Sequence, residues 1–99
     1  MKLREIAHVR TGDKGNTLNV AVIPYDEADF PRIADILTSE FVKDFYSDFV
    51  HGPVERFEVN GIKALNFVLY DCLDGGVTKN LRVDKNGKSL GLALLEIEI

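Results

Sequence analysis

The chain has 99 residues, 45% of them hydrophobic, and its 16 acidic and 12 basic side chains give a net charge of -4. This length and composition predict one domain around a single core and exclude two. The acidic balance argues against a general binder of nucleic acid or of anionic membranes, and no stretch approaches the length of a membrane span.

The start of the chain and its cysteine usage indicate a cytoplasmic, soluble protein. Residues 1–5 carry charge where a signal peptide needs an apolar stretch. Cys72 is the sole cysteine and cannot form an intramolecular disulfide, which suits a reducing compartment. We expect Cys72 to be a small buried hydrophobic residue, as free cysteine usually is.

The first quarter of the chain predicts two strands joined by a polar loop. Leu3 to Val9 alternates like an edge strand. Leu18 to Ile23 is apolar on both faces except at Asn19, as expected of a central strand, and Pro24 ends its ladder. The loop between them, Arg10 to Asn16, contains two glycines and three charged residues.

Ala28 to Asp48 changes to a helical period. The first apolar stripe is Phe30, Ile33, Ala34 and Leu37, and the second is Phe41, Val42, Phe45, Tyr46 and Phe49. Thr38 and Ser39 can act as caps between them, so we expect two helical pieces joined by a bend. We expect the aromatic stripe to pack against the sheet rather than to stack on a base or a flavin.

The next segment predicts a β-hairpin. Val54 to Val59 reads as a strand with one wet face, and Ile62 to Leu73 returns antiparallel to it. Asn60-Gly61 between them is a strong hairpin signal, because a type I′ turn needs positive φ at both central positions.

The remaining residues contain turns and two short elements. Ser89 can cap a brief helix over Leu90 to Leu94, and Leu95 to Ile99 alternates as a last strand. The whole order predicts a single α+β domain over residues 1–99. We expect a ferredoxin-like sandwich, with an antiparallel sheet, helices on one face and an extra N-terminal strand.

The candidate site begins in the polar loop. Gly12 and Gly15 can turn backbone N–H groups toward one point, and Arg10 and Lys14 add positive charge, which would make a cradle for an anion or a polar ligand. The same residues also fit a tight connection between strands whose short polar side chains satisfy their own backbone.

Asn66 extends the candidate site, because an unpaired amide in its apolar strand would cost roughly 1–3 kcal/mol. It either holds a neighbouring loop or reaches a ligand. The predicted ligand-binding residues are Arg10, Gly12, Asp13, Lys14, Gly15, Asn16, Asn19, Asn66, Gly75 and Gly76. Gly75-Gly76 can add free N–H groups, although a simple turn also explains that pair. We expect the early loop and Asn66 to meet at one accessible pocket.

Other motifs do not carry a function. Gly87-Lys88-Ser89 lacks the earlier glycine of a phosphate loop, since that position is Arg82. The histidines, His8 and His51, lack the spacing of metal ligands, so we expect no metal site; His8 is either a solvated strand residue or an acid or base near the loop. No nucleophile and base can be paired, so the sequence defines neither a catalytic set nor a cofactor.

Five segments occur in this order: His8 to Asn19, Ala64 to Leu69, Asp74-Gly75-Gly76, Gly87 to Gly91 and Ala93 to Leu95. Together, these segments resemble the C-terminal domain of the acyclic terpene utilisation protein AtuA, and the resemblance covers nearly the whole chain. The resemblance implies a ferredoxin-like domain that follows a large N-terminal domain in longer members. It also implies that this chain is the small half of a split protein whose large half is encoded separately.

Three functions are open. The resemblance implies an accessory or half-site subunit that docks on a large AtuA-like protein, in the catabolism of acyclic terpenes or branched acyl compounds. The alternative is a self-contained module that binds an anionic or acyl-CoA-type small molecule through Arg10 and Lys14. An independent enzyme is the third, because fold alone cannot supply a reaction. We expect a homo-oligomer in each case, since an exposed sheet face or edge is often buried by symmetry.

Overall fold

A computed structural model describes residues 1–14, 17–47, 50–59, 61–71 and 91–99. The four strands are β1 (Ala7–Lys14), β2 (Thr17–Pro24), β3 (Val54–Val59) and β4 (Ala64–Leu69). They form one antiparallel sheet in the order β1-β2-β4-β3. The helices α1 (Phe30–Ile36) and α2 (Ser39–Phe45) connect β2 to β3, and two single 3-10 turns lie at Leu3–Glu5 and Glu27–Asp29.

The topology confirms the predicted α+β ferredoxin-like class. β2 and β3 run parallel because each is antiparallel to β4, which lies between them. This is a split β-α-β arrangement, with the two helices as the crossover. β1 occupies the sheet edge beside β2, where the sequence predicted an extra N-terminal strand.

The core lies between one face of the sheet and the helices. Its largest fully buried residues are Tyr46, Phe67, Leu3, Leu18, Ile33, Leu37, Leu65, Leu69, Leu94, Val20, Val22 and Val42. β2 alternates between half-buried and buried side chains along its whole length, so only one of its faces is in the core. The prediction that β2 is central was right, but the sheet leaves its second face partly open to solvent.

The two-helix prediction is confirmed, with Thr38 at the bend. The Thr38 side chain accepts a hydrogen bond from the Phe41 N–H at 3.0 Å and so caps α2. Val42 is buried, whereas Phe41 and Phe45 are 36% and 40% exposed and stack on each other. The prediction that these two aromatic side chains pack in the core was wrong. Val42 and Tyr46, four residues apart, take the inward positions, and Phe41 and Phe45 each precede one of them by one residue and so lie at its side.

The first strand begins later than predicted. Leu3–Glu5 is a 3-10 turn instead of part of a strand. The Leu3 N–H donates to the Ile97 carbonyl at 3.0 Å and the Arg4 N–H to the Leu95 carbonyl at 2.9 Å. These long-range bonds bend the chain, so that Leu3 reaches the core before β1 starts.

The C-terminal residues are not the predicted strand of the sheet. They run beside residues 1–4 and contribute a single bridge, between Lys2 and Glu98. Lys2 Nζ also donates to Glu96 at 2.9 Å, and this hydrogen bond lowers the pKa of the Glu96 carboxyl. β1 pairs along one edge of β2 and β4 along the other, so the segment bonds to residues 1–4 and not to β2.

The hairpin of β3 and β4 is confirmed, with a longer connection than predicted. The last register pair is Val59 with Ala64, so four residues separate the strands instead of two. Gly61 has a φ of 89°, the left-handed value that glycine tolerates. β4 ends at Leu69, four residues before the predicted end.

Several predictions lie outside the described residues. These are Cys72, Asp74-Gly75-Gly76, Gly87-Lys88-Ser89 and the loop residues Gly15 and Asn16. Residues 91–94 are helical, in agreement with the end of the predicted brief helix. Gly91 lies so close to β1 that a Cβ there would overlap Thr11 Cγ2.

We predict that the core tyrosine makes the protein sensitive to alkali. Burial raises the pKa of the Tyr46 phenol well above its usual value of about 10. Above that pH the folded chain holds a proton that the unfolded chain has lost, so the free energy of unfolding falls by up to about 1.4 kcal/mol per pH unit. Urea unfolding from pH 8 upward, in the wild type and in Tyr46→Phe, measures this slope.

In Tyr46→Phe the free energy of unfolding should fall less steeply with rising pH, because the variant lacks this phenol. Tyr25→Phe is the matched control, because Tyr25 is 67% exposed. Equal slopes in the wild type and in Tyr46→Phe would contradict the prediction.

Candidate functional site

The face of the sheet turned away from the helices, which we call the open face, holds most of the described candidate residues. The open face consists of His8, Arg10 and Gly12 of β1, Thr17, Asn19, Ala21 and Ile23 of β2, Asn66 and Val68 of β4, and Glu55, Phe57 and Val59 of β3. Side chains that are paired across an antiparallel ladder point to the same face, so the register alone brings these residues together.

Two rows of residues cross the open face. The first is Arg10, Ala21, Asn66 and Phe57, and the second is Gly12, Asn19, Val68 and Glu55. Arg10 and Asn66 are two strands apart, which corresponds to roughly 10 Å between their backbones. A ligand that reaches both must span that distance across the small Ala21 side chain.

The loop prediction for Arg10 to Asn16 is corrected by the structure. β1 continues through this stretch to Lys14, and each residue from Arg10 to Lys14 has a partner in β2. Gly12 lies in the strand, with no heavy atom within 4 Å of a Cβ placed on it. The backbone is extended because a continuous ladder satisfies its N–H and C=O groups better than a wide loop does. This stretch therefore fits the alternative of a tight connection between strands.

The remaining predicted loop residues are only partly placed. Asp13 pairs with Leu18 and Lys14 with Thr17, at the end of the ladder. Gly15, Asn16, Gly75 and Gly76 lie outside the described residues. Convergence of the whole predicted set on one pocket thus stays a prediction, while the shared face of Arg10, Gly12, Asn19 and Asn66 is established by the register.

Asn66 is not a buried amide. It is half-buried on the open face, between the core residues Leu65 and Phe67, which point to the other side of β4. Water can reach its side chain, so the expected cost of an unpaired amide does not apply. Asn66 is consequently available to a ligand or to a partner protein.

The open face contains residues that the sequence did not suggest as functional. Phe57, next to Asn66, is 48% exposed, and Val59 is 37% exposed. The Tyr70 hydroxyl donates to Glu55 Oε1 at 2.7 Å, and this hydrogen bond raises the pKa of Tyr70. The alternation of β3 could have placed Phe57 beside Asn66, but only once the hairpin register was known.

His8 lies on the same face, at the other end of β1. Its ring stacks on Tyr25, with the ring centroids 5.3 Å apart. His8 Nδ1 is shielded from solvent and has no hydrogen-bond partner within the described part of the chain. This setting differs from the predicted alternative of a fully solvated strand histidine, although no acid–base partner accompanies it among the described residues.

Two shallow cavities lie beside the sheet, one at each of its edges. One, of about 310 Å³, lies between Phe30 and the β3–β4 hairpin, with Glu27, Glu58 and Lys63 at its rim. The other, of about 330 Å³, lies at the outer edge of β1 and includes Arg10. Charges of both signs at the first cavity define no particular ligand.

Neither a metal site nor a membrane span is found in the described ranges. No group of three or more His, Cys, Asp or Glu side chains there could hold a metal ion. None of the helices in those ranges is long and apolar enough to cross a membrane.

The sheet is antiparallel and contains a split β-α-β crossover, with the helices on one face and the second face uncovered. This arrangement defines an α+β ferredoxin-like domain. The model of the AtuA ferredoxin-like domain family matches residues 1–99, the whole chain. The chain therefore belongs to the AtuA ferredoxin-like domain family. No curated protein and no solved structure matches it.

Proposed function

We propose that this domain is an accessory module that docks through its open face on a large AtuA-like protein and contributes polar side chains to a ligand site shared with it. The pathway that we propose for it is the catabolism of acyclic terpenes or branched acyl compounds, which the resemblance to AtuA implies. The observation that carries the proposal is the first row of the open face, in which Asn66 lies beside the exposed Phe57 and Arg10 stands at the opposite end of the same row.

The apolar part of the open face supports docking. Phe57 and Val59 lie next to each other on this face of β3, and both are more than a third exposed. Aromatic side chains are enriched among the residues that dominate binding energy, because a large apolar area leaves water when they are covered. A partner that covers Phe57 also shields the neighbouring Asn66 from water.

The polar part of the row supports a shared ligand site. A guanidinium binds carboxylate or phosphate oxygens through two parallel hydrogen bonds, and an amide can both donate and accept. Arg10 forms no ion pair with any residue in the described ranges. These groups become stronger ligands once a partner excludes water, because the local dielectric falls.

Docking is tested by titrating the purified chain into the large AtuA-like protein of the same genome and measuring heat. We expect a complex, and we expect Phe57→Ala to weaken it by roughly 30-fold, the effect of losing about 2 kcal/mol at a binding hot spot. Phe41→Ala is the matched control, since Phe41 is 36% exposed but lies on α2, in the helical layer. No complex, or equal weakening by both variants, would refute docking through the open face.

The role of Arg10 in ligand binding is tested on the complex with the large AtuA-like protein. Arg10→Ala should leave docking within a few-fold of the wild type while reducing binding of an anionic acyl ligand, and Arg32→Ala on α1 serves as the matched control. Binding of such a ligand by the chain alone, lost in Arg10→Ala, would favour the self-contained binding module instead.

A further inference from the structure

The outer edge of β1 is a second surface, which adjoins the open face at Arg10. The Tyr25 N–H donates to the Ile6 carbonyl at 2.9 Å where the β1–β2 ladder begins, and antiparallel bonding alternates from there. The N–H and C=O groups of Arg10 therefore bond to β2, whereas those of Val9 and Thr11 point away from β2, toward the outside of the sheet. No described residue bonds to these outward groups. The edge can thus accept another strand.

A hollow and an exposed apolar side chain lie together at this edge. The cavity of about 330 Å³ is lined by Val9, Arg10, Thr11 and Leu92. The helical residues 91–94 lie directly against β1, since there is no space for a Cβ on Gly91 beside Thr11. Leu92, the next residue, is 59% exposed. The edge therefore has both a cavity and an exposed side chain, Leu92, that is small enough to fill such a cavity.

We propose that two copies of this chain pair antiparallel along β1, which joins their sheets into one of eight strands, with Leu92 of each copy in the cavity of the other. A two-fold interface brings the same patch of both copies together, so a patch with both a hollow and a projecting side chain complements itself. The outward N–H and C=O groups of Val9 and Thr11 would bond to the second copy.

The charges of β1 favour a register centred on Thr11 over those centred on Arg10 or on Gly12. With Thr11 opposite itself, Arg10 lies opposite Gly12 of the second copy. Centring the pair on Arg10 would set that cation against itself, and centring it on Gly12 would set it against Lys14. Like charges directly opposite each other destabilise an antiparallel pair, so the register centred on Thr11 is favoured.

The opposite edge of the sheet is built to resist pairing. β3 contains Glu55, Arg56 and Glu58 within six residues and follows Pro53. Charged side chains and proline are the devices by which edge strands avoid adding further strands. β1 carries three charged residues of its own, so the choice of β1 depends on its cavity and on Leu92, and the open face remains free for the docking proposed above.

The test is the oligomeric state of the full chain in solution. We expect sedimentation equilibrium to show a dimer for the wild type and a monomer for Leu92→Lys, which removes the projecting side chain and adds a charge beside Arg10. Ile62→Lys is the matched control, because Ile62 is 53% exposed but lies in the β3–β4 loop. It should remain a dimer. A wild-type monomer at all concentrations, or a dimer that survives in Leu92→Lys, would overturn the proposal.

Amide hydrogen exchange identifies the interface without any substitution. The amides of Val9 and Thr11 should exchange slowly at high protein concentration and quickly after dilution, whereas the Arg10 amide, bonded to β2, should be protected at both. Fast exchange of Val9 and Thr11 in a dimer would place the interface elsewhere. Protection that appears only on addition of the large AtuA-like protein would assign the edge to that protein and overturn pairing of two copies.

Discussion

Replacement of Phe67 by alanine should lower the free energy of unfolding by about 3–5 kcal/mol, the usual cost of removing a buried phenylalanine. Phe67 is fully buried at the centre of β4, paired with Val20 on one side and Arg56 on the other. The truncation leaves a cavity between the sheet and the helices that neighbouring side chains fill only in part. Because small domains are stable by only about 5–15 kcal/mol, the variant should melt far below the wild type.

The matched control is the adjacent residue on the opposite face. Asn66→Ala removes a half-exposed amide, and surface substitutions of this kind usually change stability by less than about 0.5 kcal/mol. Urea denaturation followed by circular dichroism measures both variants. If Asn66→Ala were as destabilising as Phe67→Ala, the assignment of the two faces of β4 would be wrong, and Asn66 would be the structural amide that its sequence position suggests.

Gly52→Ala should be the second strongly destabilising substitution, by about 1–3 kcal/mol, the range found for overpacking. A Cβ on Gly52 would stand 2.7 Å from the Tyr70 carbonyl oxygen and 3.0 Å from its carbon. The same oxygen accepts the Gly52 N–H, and the Tyr70 N–H donates to the Pro53 carbonyl. Backbone atoms cannot rotate away as a side chain can, so relief of the overlap must loosen the start of the β3–β4 hairpin.

Gly12→Ala is the control for this substitution. No heavy atom lies within 4 Å of a Cβ at Gly12, and alanine is preferred over glycine within a strand by roughly 0.5–1 kcal/mol. We therefore expect Gly12→Ala to be neutral or slightly stabilising in the same urea titration. A loss of stability equal to that of Gly52→Ala would contradict the close approach at Tyr70.

The two proposals use different surfaces and can fail independently. Docking on a large AtuA-like protein depends on Phe57 and its row on the open face, whereas pairing of two copies depends on Leu92 at the edge of β1. Leu92→Lys should leave docking intact, and Phe57→Ala should leave the dimer intact. If both proposals hold, the dimer presents two open faces on one extended sheet.

The elements that depend on local periodicity could be predicted from the sequence. The apolar runs on either side of Asn60-Gly61 identified the hairpin of β3 and β4, and the helical spacing with Thr38 as a cap identified both helices. These signals are local, because the period of two or 3.6 residues is built into the backbone geometry itself. The family resemblance likewise followed from short segments in a fixed order, and the match over the whole chain agrees with it.

The candidate site was only partly predictable. Its residue types were visible, and Arg10, Asn19 and Asn66 do share one face. The contribution of Phe57 was not visible, because two residues separated by the hairpin become neighbours only through the register of β3 on β4. For Arg10 to Lys14 the loop form was a wrong inference from composition, since glycine and polar residues also form strands when a partner strand satisfies their backbone.

By itself, the sequence determined the fold class, the two helices and the hairpin, because each follows from the repeat of apolar side chains along short segments and from the order of those segments. Only the tertiary structure decided where β1 starts, that the polar stretch continues as a strand, and that residues 95–99 pair with residues 2–4 instead of joining the sheet. These outcomes depend on which distant segment forms hydrogen bonds with a given stretch of backbone. That choice between segments is not encoded in any local pattern of residues.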